Sequence, residues 1–410
     1  MTQWLPAWDP VDGAARASTA FLERFGVEPS GAWSAPGRVN IIGEHTDYNA
    51  GLCLPIALPH RTYVALRLRA DDVVQLASAQ EAGTGVVQVN LADVAPGTAR
   101  GWVDYAIGVA WALREAGYPV SGFDAVVDSC VPYGAGLSSS AALECAVAIA
   151  LNDLNGLDLS DDAGRTHLAA ACVRAENEIA GARTGGMDQA AALRCRARHA
   201  LLLDNRDHSA RHLPFDLASH DLALLVVDTR APHQLVDGQY AARRATCEQA
   251  ARILGIGSLR DVDDLGSALG RLTAAIPGDQ ADVVRARVRH VVTENERVEL
   301  VAAGLEAGEV EQLGMVLSAA HASLRDDFQV SCRELDLAVD TAIAAGALGA
   351  RMVGGGFGGS AIALVRMVDL DAVADAVATA FVVAGLNPPA FLVARPAASA
   401  GRAPEGNDQR

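Results

Sequence analysis

Lysine is missing from this chain, and all 33 of its basic residues are arginine. That absence excludes every chemistry that needs a lysine amine. A Walker A phosphate loop, a protein-kinase strand lysine and a pyridoxal-phosphate Schiff base are all ruled out. Paired cysteines are missing as well. The seven thiols stand at 53, 130, 145, 172, 195, 247 and 332 with no C-x-x-C spacing, which predicts reduced, mostly buried cysteines in a cytoplasmic protein. No basic and then apolar leader follows Met1, so no signal peptide is expected. The longest uncharged stretch, Ala376 to Ala394, is broken by Gly385, Asn387, Pro388 and Pro389. It predicts a helix, a turn and a strand in place of a membrane span. Positive charge is scarce too. A formal net charge of −17 and a pI near 4.9 argue against nucleic acid or an anionic membrane as partner. An anionic ligand must therefore be held by a local site or through a metal.

What is present organises around one stretch, Val131-Pro-Tyr-Gly-Ala-Gly-Leu-Ser-Ser-Ser-Ala-Ala-Leu-Glu-Cys-Ala-Val-Ala-Ile-Ala150. The apolar run from Phe123 to Val131 predicts a strand that Pro132 stops. Gly134 and Gly136 then open a tight loop, and Leu143, Val147, Ala150 and Leu151 recur at helical spacing. A strand, a glycine loop and a helix N-terminus together make an anion site, because first-turn N–H groups lack intrahelical partners and the dipole end is positive. Ser138, Ser139 and Ser140 add hydroxyls that can bond phosphate or ligate a hard cation. A tight turn with a serine N-cap is the plainer alternative, but three serines beside two glycines exceed what a cap needs.

The second informative stretch runs from Ala32 to Gly51. Val39, Ile41 and Ile42 predict a short buried strand, and Glu44, His45 and Asp47 crowd three polar groups behind it. Such a cluster can read hydroxyls, bind a metal, or be a solvated turn. Arg38 stands just upstream. Tyr63–Arg69 and Val73–Ala77 alternate and are expected to pair as neighbours. Helices are predicted near 15–25, 102–116, 165–182, 234–254, 282–307, 310–322 and 333–346. Glu176 sits at the edge of an apolar helix face, either solvated or pointing into a site. Asp188 follows Gly185 and Gly186 and could be only an N-cap. The polar segment 204–221 is read as a domain boundary. The Ala-, Pro- and Gly-rich end from 396 onward is read as a disordered tail. With 410 residues, half of them hydrophobic, the chain can build two domains with substantial cores.

Three glycine-bearing stretches give the chain its family likeness. Pro132–Ala141 is similar to the phosphate loop of the GHMP small-molecule kinases, and Gly354–Gly359 resembles their C-terminal glycine motif. Gly37-Arg-Val-Asn-Ile-Ile-Gly-Glu-His-Thr-Asp-Tyr-Asn49 resembles the signature of the galactokinase branch, since the other branches lack its Glu-His-x-Asp run. Gly186–Gln189 and Gly238–Arg244 also resemble galactokinase segments, so the likeness covers residues 35 to 365. It implies an α/β (α+β) two-domain fold. The N-terminal domain, 1–215, would be like ribosomal protein S5, and the C-terminal domain, 216–396, ferredoxin-like, followed by the tail 397–410. It implies transfer of a phosphoryl group from ATP to the C1 hydroxyl of α-D-galactose. Gly134, Ala135, Gly136, Leu137, Ser138, Ser139, Ser140 and, on a looser match, Ser78 would bind ATP. Ser140 and Glu176 would hold Mg²⁺. Glu44, His45, Thr46, Asp47, Gly185 and Tyr240 would contact galactose, and Asp188 with Arg38 would be catalytic. Galactose and ATP would be the partners of a monomer. Gly186, Ser360 and Tyr133 depart from the family's usual residues. A non-catalytic sugar sensor and a kinase for another sugar are rival readings, and a serine hydrolase built on Ser138–Ser140 is the weakest, since the chain lacks G-x-S-x-G.

Overall fold

The computed structural model describes residues 2–404, apart from 82, 84, 99 and 232–235. Its two large sheets share a core. The first has six strands in the order Gly401–Arg402, Gly31–Asn40, Pro55–Leu68, Phe123–Ser129, Val73–Ser78 and Val87–Asn90. Helices Val103–Glu115 and Ser139–Asn155 cover one face, and helix Pro10–Phe25 covers the other. Burial on both faces leaves Phe123–Ser129 almost entirely buried, and its Asp124 and Asp128 are paired there with Arg67, Arg69 and Arg16.

The second sheet runs Gln3–Trp4, Ala390–Ala394, Leu222–Asp228, Ser360–Arg366, Gly349–Val353. Strand alternation divides its side chains between two cores. Leu225, Val227 and Ala363 face the C-terminal helices. Leu224, Val226, Ile362 and Leu364 instead join Ile41, Ile42 and Leu137 of the first half in one apolar cluster. The two halves are therefore packed against each other by hydrophobic burial. A small sheet of Leu52–Cys53, His199–Asp204 and Ala210–Pro214 completes the strands. No helix among the described residues is long and apolar enough to cross a membrane.

Several expectations need correction. Pro55–Leu68 and Val73–Ser78 do not pair, because Phe123–Ser129 lies between them, antiparallel to the first and parallel to the second. Gly122 enters this gap so tightly that a Cβ there would come within 2.2 Å of the Val73 carbonyl oxygen. The non-local apolar strand outcompetes the local hairpin. The polar segment 204–221, expected as a domain boundary, is itself structured, since Ala210–Pro214 pairs with His199–Asp204 and both Leu213 and Phe215 are buried. Residues 397–404 are not a disordered tail. Gly401–Arg402 pairs with Trp33 and Ser34, and Arg61 donates to the carbonyls of Ala398 (2.8 Å) and Ser399 (2.9 Å). Composition alone predicts disorder for such small residues, but Ala400 and Ala403 are buried. Residues 405–410, the rest of that expected tail, lie outside the described residues, as do 234 and 235 of the expected helix 234–254. That helix is described as Val236–Leu254. An unforeseen helix occupies Leu265–Ala275.

Candidate active site

The glycine loop after Phe123–Ser129 is shaped by left-handed residues. Gly134 has φ 72°, Gly136 φ 71° and Ser138 φ 60°, and helix Ser139–Asn155 starts immediately afterwards. Three successive carbonyls of this loop are turned into the protein. That of Ala135 accepts from Ser360 Oγ (2.6 Å), that of Gly136 from Arg38 Nη1 (2.6 Å), and that of Leu137 from the Arg38 amide (3.1 Å). The loop's amide side is what remains to meet an anion. The 354–359 glycine run, a weak signal by itself, packs on this loop. A Cβ on Gly354 would lie 3.1 Å from the Gly136 carbonyl oxygen, and one on Gly359 would lie 3.2 Å from that of Ala135. Side chains there would push the two loops apart.

Arg38 is buried at the end of strand Gly31–Asn40 and grips Asp188 with a planar fork. Its Nε reaches Oδ1 at 2.7 Å and its Nη2 reaches Oδ2 at 2.8 Å. Ser138 Oγ donates to the same carboxylate. Burial opposes the charge on Arg38, but Asp188 and Glu44 outweigh it and hold the guanidinium above its ordinary value. Asp188 is not an N-cap. Gly186, at φ 101°, takes that position, and Asp188 lies inside the first turn of helix Met187–Arg194. Its carboxylate is thus near a positive helix end.

Glu176 sits where the expected helix 165–182 changes pitch, from Asp162–Arg174 into a π-turn at Ala175–Ala180. Such turns re-aim side chains at functional sites. Its Oε1 accepts from Ser140 Oγ at 3.1 Å and its Oε2 from Gln189 Nε2 at 2.5 Å. Burial and then the Asp188 charge push Glu176 up to about 7. Gln189 also donates to Glu144 at 2.9 Å. Burial, followed by the charge on Glu176, holds Glu144 well above the carboxylate range.

Arg38, Glu44, His45, Asp47, Glu176, Asp188 and Tyr240 line one cavity of about 140 Å³, with Arg183, Thr184, Met187, Gly354 and Gly355. Drug-sized sites occupy roughly 300–1,000 Å³, so this space suits a single small polar molecule. Asp47 is pushed up to about 6 by burial and then by Asp188. Gly185 is required beside it, since a Cβ there would fall 2.1 Å from Asp47 Oδ2. His45 adopts φ 62° and contacts the Tyr48 hydroxyl at 2.9 Å through Nδ1. Burial, followed by the charge of His290, lowers it to about 3. Its ring packs on Tyr240 and Phe328, with centroids 5.5 and 4.7 Å away. Tyr240, from helix Val236–Leu254, thereby closes the aromatic side of the cavity.

Thr46 does not line the cavity. It is fully buried, and its hydroxyl lies 2.8 and 2.7 Å from the carbonyl oxygens of Gly43 and Leu52, bracing the loop. Ser78 stands apart too. It ends strand Val73–Ser78, with its Oγ accepting from the Gln80 amide at 3.2 Å. Arg351, Glu294, His290, Gln189 and Arg183 were not foreseen. Arg351 did leave a trace, as one charge inside the run Gly-Ala-Arg-Met-Val of strand Gly349–Val353.

Comparison with known proteins agrees with this geometry. Residues 19–68 match the galactokinase galactose-binding signature, 104–196 the GHMP kinases N-terminal domain and 301–383 the GHMP kinases C-terminal model. A galactokinase of Streptomyces coelicolor is 53% identical over 395 residues, covering 95% of this chain and 99% of that protein. One of Chloroflexus aurantiacus is 42% identical over 86% of this chain and 88% of its own. The crystal structure of Lactococcus lactis galactokinase complexed with galactose superposes with a TM-score of 0.86 at 33% identity, covering 94% of this chain and 98% of that one. A mevalonate kinase, at a TM-score of 0.60 and 15% identity over 89% of this chain and 99% of that one, shares the fold. Signature, both fold halves and a relative more than half identical along nearly its full length coincide, and the chain belongs to the galactokinase family of GHMP kinases.

Proposed function

We propose that this galactokinase transfers the γ-phosphoryl group of ATP to the C1 hydroxyl of α-D-galactose through the cavity between Asp188, Glu44 and Tyr240. The carrying observation is the Arg38–Asp188 fork beside the phosphate loop, with Ser138 on the same carboxylate. Asp188 would take the C1 proton, and its position is fixed before substrate arrives. Arg38 would stabilise charge on the transferred group while bonded to the loop at Gly136. Glu44, His45, Asp47 and the backbone at Gly185 would orient the sugar, with Tyr240 against its ring. Thr46 would brace that loop. Gly134–Ser140 would cradle the phosphates through backbone amides, as a lysine-free site demands.

Ser140 and Glu176 would hold Mg²⁺. Their oxygens converge within 3.1 Å, and two hard oxygens suit an ion that otherwise keeps water and nucleotide phosphates. When bound, the ion would offset phosphate charge. We place the domains at 1–215 and 216–396, with strand Gln3–Trp4 and residues 397–404 each exchanged onto the opposite sheet.

The test is ADP release with Mg²⁺ and galactose beside N-acetylgalactosamine, glucose, arabinose, mevalonate and homoserine. Turnover on galactose is expected. Turnover only on another substrate would overturn the sugar assignment. Galactose binding without turnover would favour the sensor.

A further inference from the structure

A loop of the first half is fastened by charges of the second. Arg351, fully buried on strand Gly349–Val353, pairs with Glu44 Oε1 at 3.0 Å and donates to the carbonyls of Ile41 (2.9 Å) and Met352 (2.8 Å). Glu294, buried on helix Gln280–Ala307, accepts from the amides of Gly43 (2.9 Å) and Glu44 (3.3 Å). His290 on the same helix contacts the Glu44 carbonyl oxygen at 3.1 Å. The Gly354 amide bonds Glu44 Oε1 at 2.8 Å. The C-terminal half thus holds Glu44 at its carboxylate, its amide and its carbonyl, while Arg38 and Asn40 of its own half also act on the carboxylate. Burial alone raises Glu44 and favours its neutral form, with Arg351 the largest opposing influence. Glu294, drawn down to about 2 by His290, Arg351 and Arg297 against its burial, stays charged and keeps the cluster balanced.

We infer that Arg351 is a positioning residue for galactose recognition, keeping the Glu44 carboxylate aimed into the cavity while Glu294 and His290 fix the backbone behind it. Arg351 is absent from the cavity lining, so its route to the sugar runs through the signature loop, at Glu44 and at the Ile41 carbonyl. The inference rests on the reading that Glu44 contacts the sugar. It makes the sugar site a product of the packed halves and not of the signature loop alone.

The test is a double-mutant cycle on galactose affinity, measured by calorimetry on the full chain, with ADP affinity as control. Glu44→Gln, Arg351→Met, Arg351→Lys and the Glu44→Gln/Arg351→Met pair would be compared. Losing a charged hydrogen bond costs roughly 10–100-fold in affinity, and that loss is expected for Glu44→Gln and for Arg351→Met. The pair should bind no more weakly than Glu44→Gln, Arg351→Lys should recover part of the loss, and ADP affinity should hold. Losses that multiply in the pair, or ADP binding that falls in step, would make Arg351 merely structural and overturn the inference. Should Arg351→Met alone fail to fold, Glu44→Gln against the pair still decides, because removing both charges leaves no unpaired carboxylate at 44. Unchanged binding in Glu44→Gln would overturn the sugar-contact reading and this inference with it. A normal Arg351→Met beside a weakened Glu44→Gln would overturn only the inference.

Discussion

Asp188 is held by three hydrogen bonds before any substrate is present, two from Arg38 and one from Ser138. Asp188→Asn keeps the shape but removes the proton acceptor. It is expected to lower kcat by roughly 10²–10⁴-fold, the usual worth of a general base, with galactose affinity retained in calorimetry. Gly185→Ala places a methyl on Asp47. We expect galactose KM to rise about tenfold or more while ATP KM stays put, as the loss of a charged sugar contact would produce, measured by steady-state kinetics. Glu176 carries a pH signature. Its folded value of about 7 exceeds the ordinary 4.5. Between those values the folded protein keeps a proton that the unfolded chain releases, so the contribution present below 4.5 is lost as pH rises to 7. Glutamine does not titrate. Without nucleotide or divalent cation, Glu176→Gln should therefore gain on the parent between pH 5 and pH 8, by about 2–3 kcal/mol at 1.36 kcal/mol per pKa unit. Urea unfolding at the two pH values checks this. A gain that shrinks with pH would refute the burial account.

Elements carry function here through close approach. The 354–359 run approaches the phosphate loop closely at Gly354 and Gly359, where a Cβ would crowd the Gly136 and Ala135 carbonyls, and Ser360 ties the two with one bond. The last strand serves stability instead. Cutting the chain after Pro396 removes the partner of Trp33 and Ser34 and two carbonyl acceptors of Arg61. It also removes the Ala400 carbonyl, bonded by Arg165 at 3.0 Å. Each buried donor left unpaired costs about 1–3 kcal/mol, so a loss of several kcal/mol with intact galactose binding is expected in denaturant titrations. The sequence showed these elements unevenly. The strand ending before Pro132 is legible, because an apolar run stopped by proline and glycine marks its own end. The strand order around Phe123–Ser129 was hidden, because pairing between distant segments leaves no local pattern. The buried end of the chain was hidden as well, since alanine and glycine composition says nothing about the arginines waiting for their carbonyls.

At the scale of the molecule, one apolar cluster joins the signature loop, the phosphate loop and the second sheet. The cavity draws Glu44 and Asp47 from one side and Tyr240 and Gly355 from the other. Galactose should therefore stabilise both halves together. At a hundredfold excess over its Kd the expected gain is about 2.7 kcal/mol. It should appear in calorimetry as a single transition moving upward, and two transitions with only one shifted would contradict a shared site. The sequence by itself determined the lysine-free chemistry, which is a matter of composition, and the anion loop and the sugar signature, which are set by residue types at short spacing. The family likeness names Arg38 with Asp188 and Ser140 with Glu176, but the contacts within each pair, and the part of Arg351, are decided by tertiary structure. Arg38 meets Asp188 across 150 positions, Ser140 meets Glu176 across 36, and Arg351 reaches the signature loop across 310. A buried charge is settled by the partner that packing brings to it, and no local pattern records that partner.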